Sequence, residues 1–311
     1  MKIWFLIAIL FFASSAFSQN NSDYYTKEIR LVVDNDVFTS IIRDQYYSSG
    51  LFGFYRHIVS QSDSSAKIIR SYSLNQRIFT PKSVRWRNVE RFDRPYAGHI
   101  SVFLSNEYYR PSTYLLTRLE LGWMGPGSLT GDIQETWHKW FGLPNPEGWD
   151  FQIQNSPIIN YYMTFAGKLV ETEGLDILSE SNLSLGTAFT NIRQELIIRM
   201  GKFNTLGTSV HYNGQLGSVK KNQQTKGTIE GYLFYAPGVE YNFNNTTIEG
   251  NIIGTSSPHT EVPLRWIWQH KGGFMLSWPG FDIQFTFYWR SREASVATPH
   301  VYGGLHLNKR F

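Results

Sequence analysis

The feature that most constrains this 311-residue chain is a two-residue hydrophobic period. Over residues 282–290, Ile283, Phe285, Phe287 and Trp289 alternate with Gln284, Thr286, Tyr288 and Arg290. Leu119, Leu121 and Trp123 likewise oppose Arg118, Glu120 and Gly122. Ile29, Leu31 and Val33 oppose Arg30, Val32 and Asp34, and Leu264, Trp266 and Trp268 oppose Arg265 and Gln269. A period of two places successive side chains on opposite faces of a β-strand. Runs of about ten residues match a tilted strand that crosses a bilayer. Two architectures use such strands. A soluble sandwich turns its apolar face inward, whereas a membrane barrel turns it toward lipid and keeps a polar lumen.

Composition separates the two. Aromatic residues (10 Trp, 18 Tyr and 22 Phe) make up 16% of the chain, against 17% charged residues. A soluble chain of this size carries fewer aromatics and more charge. Mean hydropathy is −0.30, which excludes a bundle of membrane helices. Tyr24, Tyr25, Tyr46, Tyr47, Tyr108, Tyr109, Trp123, Trp278 and Trp289 fall near strand ends, where a barrel carries its aromatic girdles. Arg and Glu occupy the non-apolar strand face, as a polar lumen requires. The last strand ends in Phe311, which resembles the assembly signal of bacterial outer-membrane barrels. The expected fold is an all-β, antiparallel transmembrane β-barrel. The net charge of +4 leaves no electrostatic footprint for nucleic acid. The absence of cysteine excludes a disulfide scaffold, a thiolate metal site and a cysteine nucleophile.

Lys2, the apolar residues 4–13 and Ala16-Phe17-Ser18 read as a secretory signal peptide, too short to span a bilayer. An uncleaved anchor is the alternative. The expected division is a signal peptide over 1–18 and a barrel over 19–311. Candidate strands are 24–36, 45–58, 66–80, 96–109, 113–125, 157–172, 175–188, 190–203, 228–241, 245–254, 264–278, 281–292 and 300–311. These are thirteen, and single-chain bacterial barrels have an even number. The turn-like 242–245 makes 245–254 the false one, which leaves twelve. Residues 130–142 break the pattern. Thr130 or Asp132 as N-cap, Lys139 late and Gly142 as stop predict a short helix, with Gln134 and His138 on one face.

A first strand that starts in the periplasm places connections 1–2, 3–4 and 5–6 on the external rim. These are the polar connections. Their motifs are DNDVF at 34–38, YYSSG at 46–50, FTP at 79–81, DRPYAG at 93–98, GPGSLTGDIQETWH at 125–138 and GWDFQ at 148–152. In that order they resemble the outer-membrane lipid A 3′-O-deacylases, over roughly the first half of the mature chain. The resemblance implies a twelve-stranded barrel with its site at the outer rim. It also implies Ca2+-dependent hydrolysis of the ester-linked 3′-acyloxyacyl chain of lipid A by a membrane-embedded monomer.

On that resemblance His138 is the general base, and Gln134 orients it or holds the carbonyl. Asn35 donates to the oxyanion, Asp36 is a calcium ligand, and Ser48 either joins it on calcium or supports the oxyanion hole. Arg87, and with a weaker match Arg85, meets the lipid A phosphates. Each residue also has a plainer reading: a packed histidine, a solvated helix face, turn chemistry for Asn and Asp, a turn hydroxyl, solvated arginines. Strict alternation points Asn35 toward lipid and Asp36 inward, so both serve one site only if the strand ends or bulges there. The family's acidic residue after the histidine has no clean counterpart. Pro144 takes the ungapped position, and Glu147 aligns only with a shift. Asp93 and Arg94 are expected to pair as scaffold.

Two other functions compete. His99-Ile100-Ser101 resembles the His-x-Ser arrangement of a different lipid A deacylase, one that removes the 3-position chain. A non-catalytic channel or adhesin-like barrel explains the strands but not the three loaded connections. Arg, Glu, Gln and Tyr inside a twelve-stranded barrel suggest a plugged lumen.

Overall fold

A computed structural model describes residues 23–39, 44–220 and 229–311. The proposed signal peptide, 1–18, lies outside the described residues. The alternating runs form twelve antiparallel strands: β1 (Lys27–Asn35), β2 (Tyr46–Gln61), β3 (Lys67–Thr80), β4 (Ala97–Tyr109), β5 (Thr113–Met124), β6 (Ser156–Thr172), β7 (Leu175–Gly186), β8 (Phe189–Lys202), β9 (Glu230–Asn245), β10 (Trp266–Trp278), β11 (Phe281–Arg290) and β12 (His300–Arg310). Each pairs with its neighbours in sequence, and β1 closes on β12 with Glu28 opposite Arg310 and Asn35 opposite Gly303. No described helix is long and apolar enough to cross a membrane. The candidate strand at 245–254 is absent, as expected. Asn245 instead caps the short helix α2 (Thr246–Glu249) by accepting a hydrogen bond from the Thr247 N–H.

The alternation sorts side chains as the pattern requires. Leu119, Leu121 and Trp123 on β5 are exposed on the wall, and Glu120 between them is fully buried inside. The expected aromatic girdle is only partly correct. Tyr108, Trp123 and Trp278 are exposed on the wall, whereas Tyr24 precedes β1 and bridges to Lys220 of the connection from β8 to β9. Tyr46 and Tyr109 are buried, Tyr25 packs on the interior core, and Tyr47 reaches the buried Asp34 with its hydroxyl at 2.9 Å. A strand-end position does not fix the face, because a bulge between Tyr47 and Ser49 shifts β2 against β3.

The two ends of the barrel differ. At the lower end, where β1 begins and β12 stops, most turns are tight. Glu173-Gly174 is one of them, with Gly174 at φ 78°. The exception is the connection from β8 to β9, whose described part folds up into the lumen. Leu206, Val210 and Leu216 from it are fully buried. Glu230 locks it by accepting hydrogen bonds from the Asn204 N–H and amide, the Ser209 hydroxyl, the Val210 N–H and the Gln215 amide. Around this plug, buried ion pairs line the lower lumen, and Arg56 also donates to the plug carbonyl of Asn213 at 3.1 Å. Arg56 binds Glu28 at 2.5 Å and Glu107 at 2.7 Å, and Arg310 binds Asp282 at 2.5 Å. The upper end carries the long connections, and α1 (Thr130–Phe141) packs over the rims of β3 and β4.

Candidate active site

Strand β1 stops at Asn35, and Asp36 opens a one-turn 3-10 helix, Asp36–Thr39. The burial still alternates through this ending, with Asp34 and Asp36 buried and Asn35 between them on the other face. Asn35 is half-buried, and its side-chain carbonyl accepts the Val37 N–H at 2.9 Å, a local turn bond. Its amide NH2 remains as a donor. Asp36 is buried and accepts the Gln45 N–H at 3.1 Å. Burial, and then the neighbouring Asp44 carboxylate, push the Asp36 carboxyl up to about 8. Tyr46 holds the return of this connection. Its backbone is left-handed, at φ 57°, and its hydroxyl donates to Asp93 at 2.7 Å and accepts the Thr298 N–H at 2.9 Å. Ser48 is fully buried and its hydroxyl has no hydrogen-bond partner.

The helix α1 starts differently from the expectation. Its N-cap is Leu129 in a left-handed conformation with no side-chain bond, and neither Thr130 nor Asp132 caps it. A turn over Pro126–Ser128 sets the entry instead. The stop is as expected, with Gly142 at φ 68°. Thr130, Gln134 and His138 form the buried face. Gln134 Oε1 accepts the Trp149 indole N–H at 3.0 Å, so this side chain anchors the helix to the 125–155 connection. Ring atom Nδ1 of His138 is bonded to the Pro144 carbonyl oxygen. A carbonyl only accepts, so Nδ1 carries the proton and Nε2 keeps its lone pair. Nε2 lies 3.5 Å from Asp44 Oδ2.

Asp44 is the residue that sequence reasoning missed. It sits in the connection from β1 to β2, between Asp36 and His138. Burial raises its carboxyl and His138 lowers it. The resemblance also left the acid after the histidine without a counterpart. In the structure the main chain of Pro144 orients Nδ1, while Glu147 pairs with Arg87, its Oε1 at 2.9 Å from Arg87 Nη2. Arg85 is exposed beside them on the rim. The structure thus brings Asp36, Asp44 and His138 together, sets Gln134 one turn behind, and leaves both arginines on the outer edge.

Calcium, implied by the resemblance, can be tested against these donors. Among the described residues no group of three or more His, Asp or Glu side chains is placed to hold a metal. Asp36 and Asp44 act on each other as like charges, and the Ser48 hydroxyl is buried without a hydrogen-bond partner; all three are hard oxygen donors. They fit an oxygen-seeking divalent cation whose remaining ligands are carbonyls or water.

Two other expectations close here. Asp93 and Arg94 do not pair. Asp93 takes the Tyr46 hydroxyl and the Lys82 N–H, while Arg94 reaches Glu293 at 3.3 Å and the Thr247 hydroxyl at 2.8 Å. Consecutive side chains point apart, so each finds a partner on a different connection. His99 and Ser101 both face the lumen and both bind Glu120, at 3.1 Å and 2.7 Å. They are buried at 0% and 3% exposure, which suits a luminal network and not a lipid-facing site.

Comparison with known proteins agrees with this geometry. Solved structures with similar folds include LpxR from Salmonella typhimurium, with a TM-score of 0.72, 16% identity, and coverage of 91% of this chain and 100% of that one. The β domain of the Bordetella autotransporter Brka (TM-score 0.47, 10% identity, 93% and 100% coverage) and the KdgM porin (0.40, 7%, 91% and 99%) are more distant barrels. No curated protein sequence matches. The model of the family described as outer membrane protein LpxR matches residues 5–311. The chain therefore belongs to the LpxR family of outer-membrane proteins, the lipid A 3′-O-deacylase family that its ordered motifs resemble.

Proposed function

We propose that the protein is a calcium-dependent ester hydrolase that removes the 3′-acyloxyacyl chain of lipid A at the outer face of the outer membrane. The observation that carries the reading is the placement of His138. A buried imidazole has its Nδ1 proton committed to a main-chain carbonyl and its Nε2 directed toward the Asp44 carboxylate. In this reading Nε2 takes a proton from a water molecule as the water oxygen attacks the ester carbonyl carbon. Asp44, 3.5 Å away, stabilises the imidazolium that forms. The Asn35 amide donates to the oxyanion. As the tetrahedral intermediate collapses, the carbonyl carbon–oxygen bond to the sugar breaks and the imidazolium returns its proton to the leaving 3′ oxygen. The products are a sugar hydroxyl and a free acyloxyacyl acid. Gln134 positions His138 by fixing the helix to Trp149.

Asp36, Asp44 and Ser48 are the residues that would hold Ca2+, which when bound polarises the carbonyl and offsets the oxyanion's charge. Arg87 and Arg85 give the rim the cationic character that lipid A phosphates need. The acyl chains lie against the wall formed by β1 to β5. There an apolar concavity of about 630 Å³ opens around Gly53, lined by Leu31, Tyr55, Leu74, Leu104 and Leu121. In this orientation the upper end faces the cell exterior and the protein acts as a monomer on a lipid substrate, without nucleic acid. The channel alternative is disfavoured by the plug locked on Glu230 and tied to the wall through Arg56.

The test is to produce the protein in a bacterium of defined lipid A and weigh the lipid A by mass spectrometry. Loss of the 3′-acyloxyacyl mass, abolished by chelating calcium and by His138→Ala, supports the reading. Unchanged lipid A from a correctly inserted barrel counts against it.

A further inference from the structure

The helix α1 carries more than its inward face. At about 100° per residue, its side chains fall into three sectors. Thr130, Gln134 and His138 form the buried one. Asp132, Glu135, Thr136 and Lys139 form a polar one roughly opposite, where Lys139 lies 3.8 Å from Glu135. Between them, on one flank only, run Leu129, Ile133, Trp137 and Trp140, and the last residue, Phe141, sits at the edge of the buried sector beside Trp137. Their exposures are 61%, 46%, 41%, 64% and 39%. The Trp137 and Phe141 rings contact each other at 4.5 Å, so the flank is a continuous apolar surface. Exposed apolar patches of this kind mark interaction surfaces.

We propose that this flank of α1 rests in the lipid of the outer leaflet, at the boundary between headgroups and acyl chains. Three observations choose lipid as the occupant. First, the helix packs on the rims of β3 and β4, and the outer wall of those strands below the rim exposes the apolar Leu74 and Val102. The helix thus sits at the top of a wall that faces lipid. Second, the sectors suit a helix lying along a barrel rim: one face on the barrel, the opposite face in water, the flank sideways. Third, two tryptophans with isoleucine, leucine and phenylalanine opposite charged residues are the composition of an interfacial helix. A lipid beside α1 then lies within one helix width of His138. The inference rests on the barrel's place in the membrane and not on the proposed hydrolysis.

Its test needs no activity. The chain contains no cysteine, so Trp140→Cys, Ile133→Cys and, on the polar sector, Thr136→Cys each give a single spin-label site in the full-length protein. The labelled proteins are reconstituted in vesicles of phosphatidylethanolamine and phosphatidylglycerol. Collision rates with oxygen and with a water-soluble nickel chelate are then measured. The expected result is that oxygen dominates at 133 and 140 and nickel at 136. Two sites on the flank keep the test decisive if one variant fails to insert. Nickel dominating at both flank sites overturns the proposal. So does dipolar broadening between labels that vanishes on dilution with unlabelled protein, which would make the flank a contact with a second copy.

Discussion

The coupling between Asp36 and Asp44 predicts a cation affinity that depends steeply on pH. Asp36 is buried at 4% exposure, and its carboxyl is raised from 3.8 to about 8. One unit corresponds to about 1.4 kcal/mol, so ionising Asp36 in the empty site costs roughly 6 kcal/mol. The sign follows directly. Between pH 4 and pH 8 the folded protein holds a proton that the unfolded chain has lost. Cation-free stability therefore falls as pH rises through that window. A bound cation needs the carboxylate and displaces the proton. Calcium binding should thus strengthen about tenfold per pH unit between pH 6 and pH 8 and level off above. Asp44→Asn removes the like charge, so Asp36 ionises more easily and the plateau begins at lower pH. The same substitution removes a donor and weakens binding at pH 9. The assay is isothermal titration of the micellar protein with Ca2+, in buffers of different ionisation enthalpy, to count released protons. An affinity that is flat from pH 6 to pH 8 with no proton release would refute the argument, as would a pH profile unmoved by Asp44→Asn.

Other consequences follow from particular residues. Gly142 stands at φ 68° with free space where a Cβ would project, so Gly142→Val strains only the backbone, by about 1–2 kcal/mol. It should displace the Pro144 carbonyl from His138 and lower kcat about 10–100-fold while the barrel still inserts, as steady-state kinetics and gel mobility will show. Arg56→Met leaves Glu107 buried without its paired cation and Glu28 with Arg310 alone, at 3.7 Å. It should cost about 3–5 kcal/mol in urea unfolding, and no measurable loss would contradict the luminal pairing. Glu230→Ala removes the acceptor that holds the plug. It should turn a silent barrel into a conducting one in planar bilayers, and if the native protein already conducts, the plug is not closed.

The barrel was legible in the sequence because lipid outside and a polar lumen inside impose opposite demands on alternate residues. Leu119 and Glu120 cannot exchange faces. Even the false strand at 245–254 was recognisable from its turn residues. The buried face of α1 was legible as well, since Gln134 and His138 are four residues apart on a helix bounded by Gly142. What was hidden depends on distance along the chain or on the main chain. Asp44 meets His138 across 94 positions, from a connection with no periodicity. Pro144 acts through a carbonyl that every residue type possesses, so no side chain signals it. Arg94 passes over its neighbour for Glu293, 199 residues away. Tyr46 turns inward because of a left-handed backbone and a nearby bulge, neither of which alternation encodes.

The central claim is that His138 delivers water to the 3′ ester carbonyl. It is tested most directly by incubating the purified protein with lipid A and Ca2+ in water enriched in oxygen-18. One heavy oxygen should appear in the carboxyl group of the released acyloxyacyl acid, and none in the freed sugar hydroxyl. His138→Ala should release no acid. Heavy oxygen on the sugar, or release that persists in His138→Ala, would contradict the account.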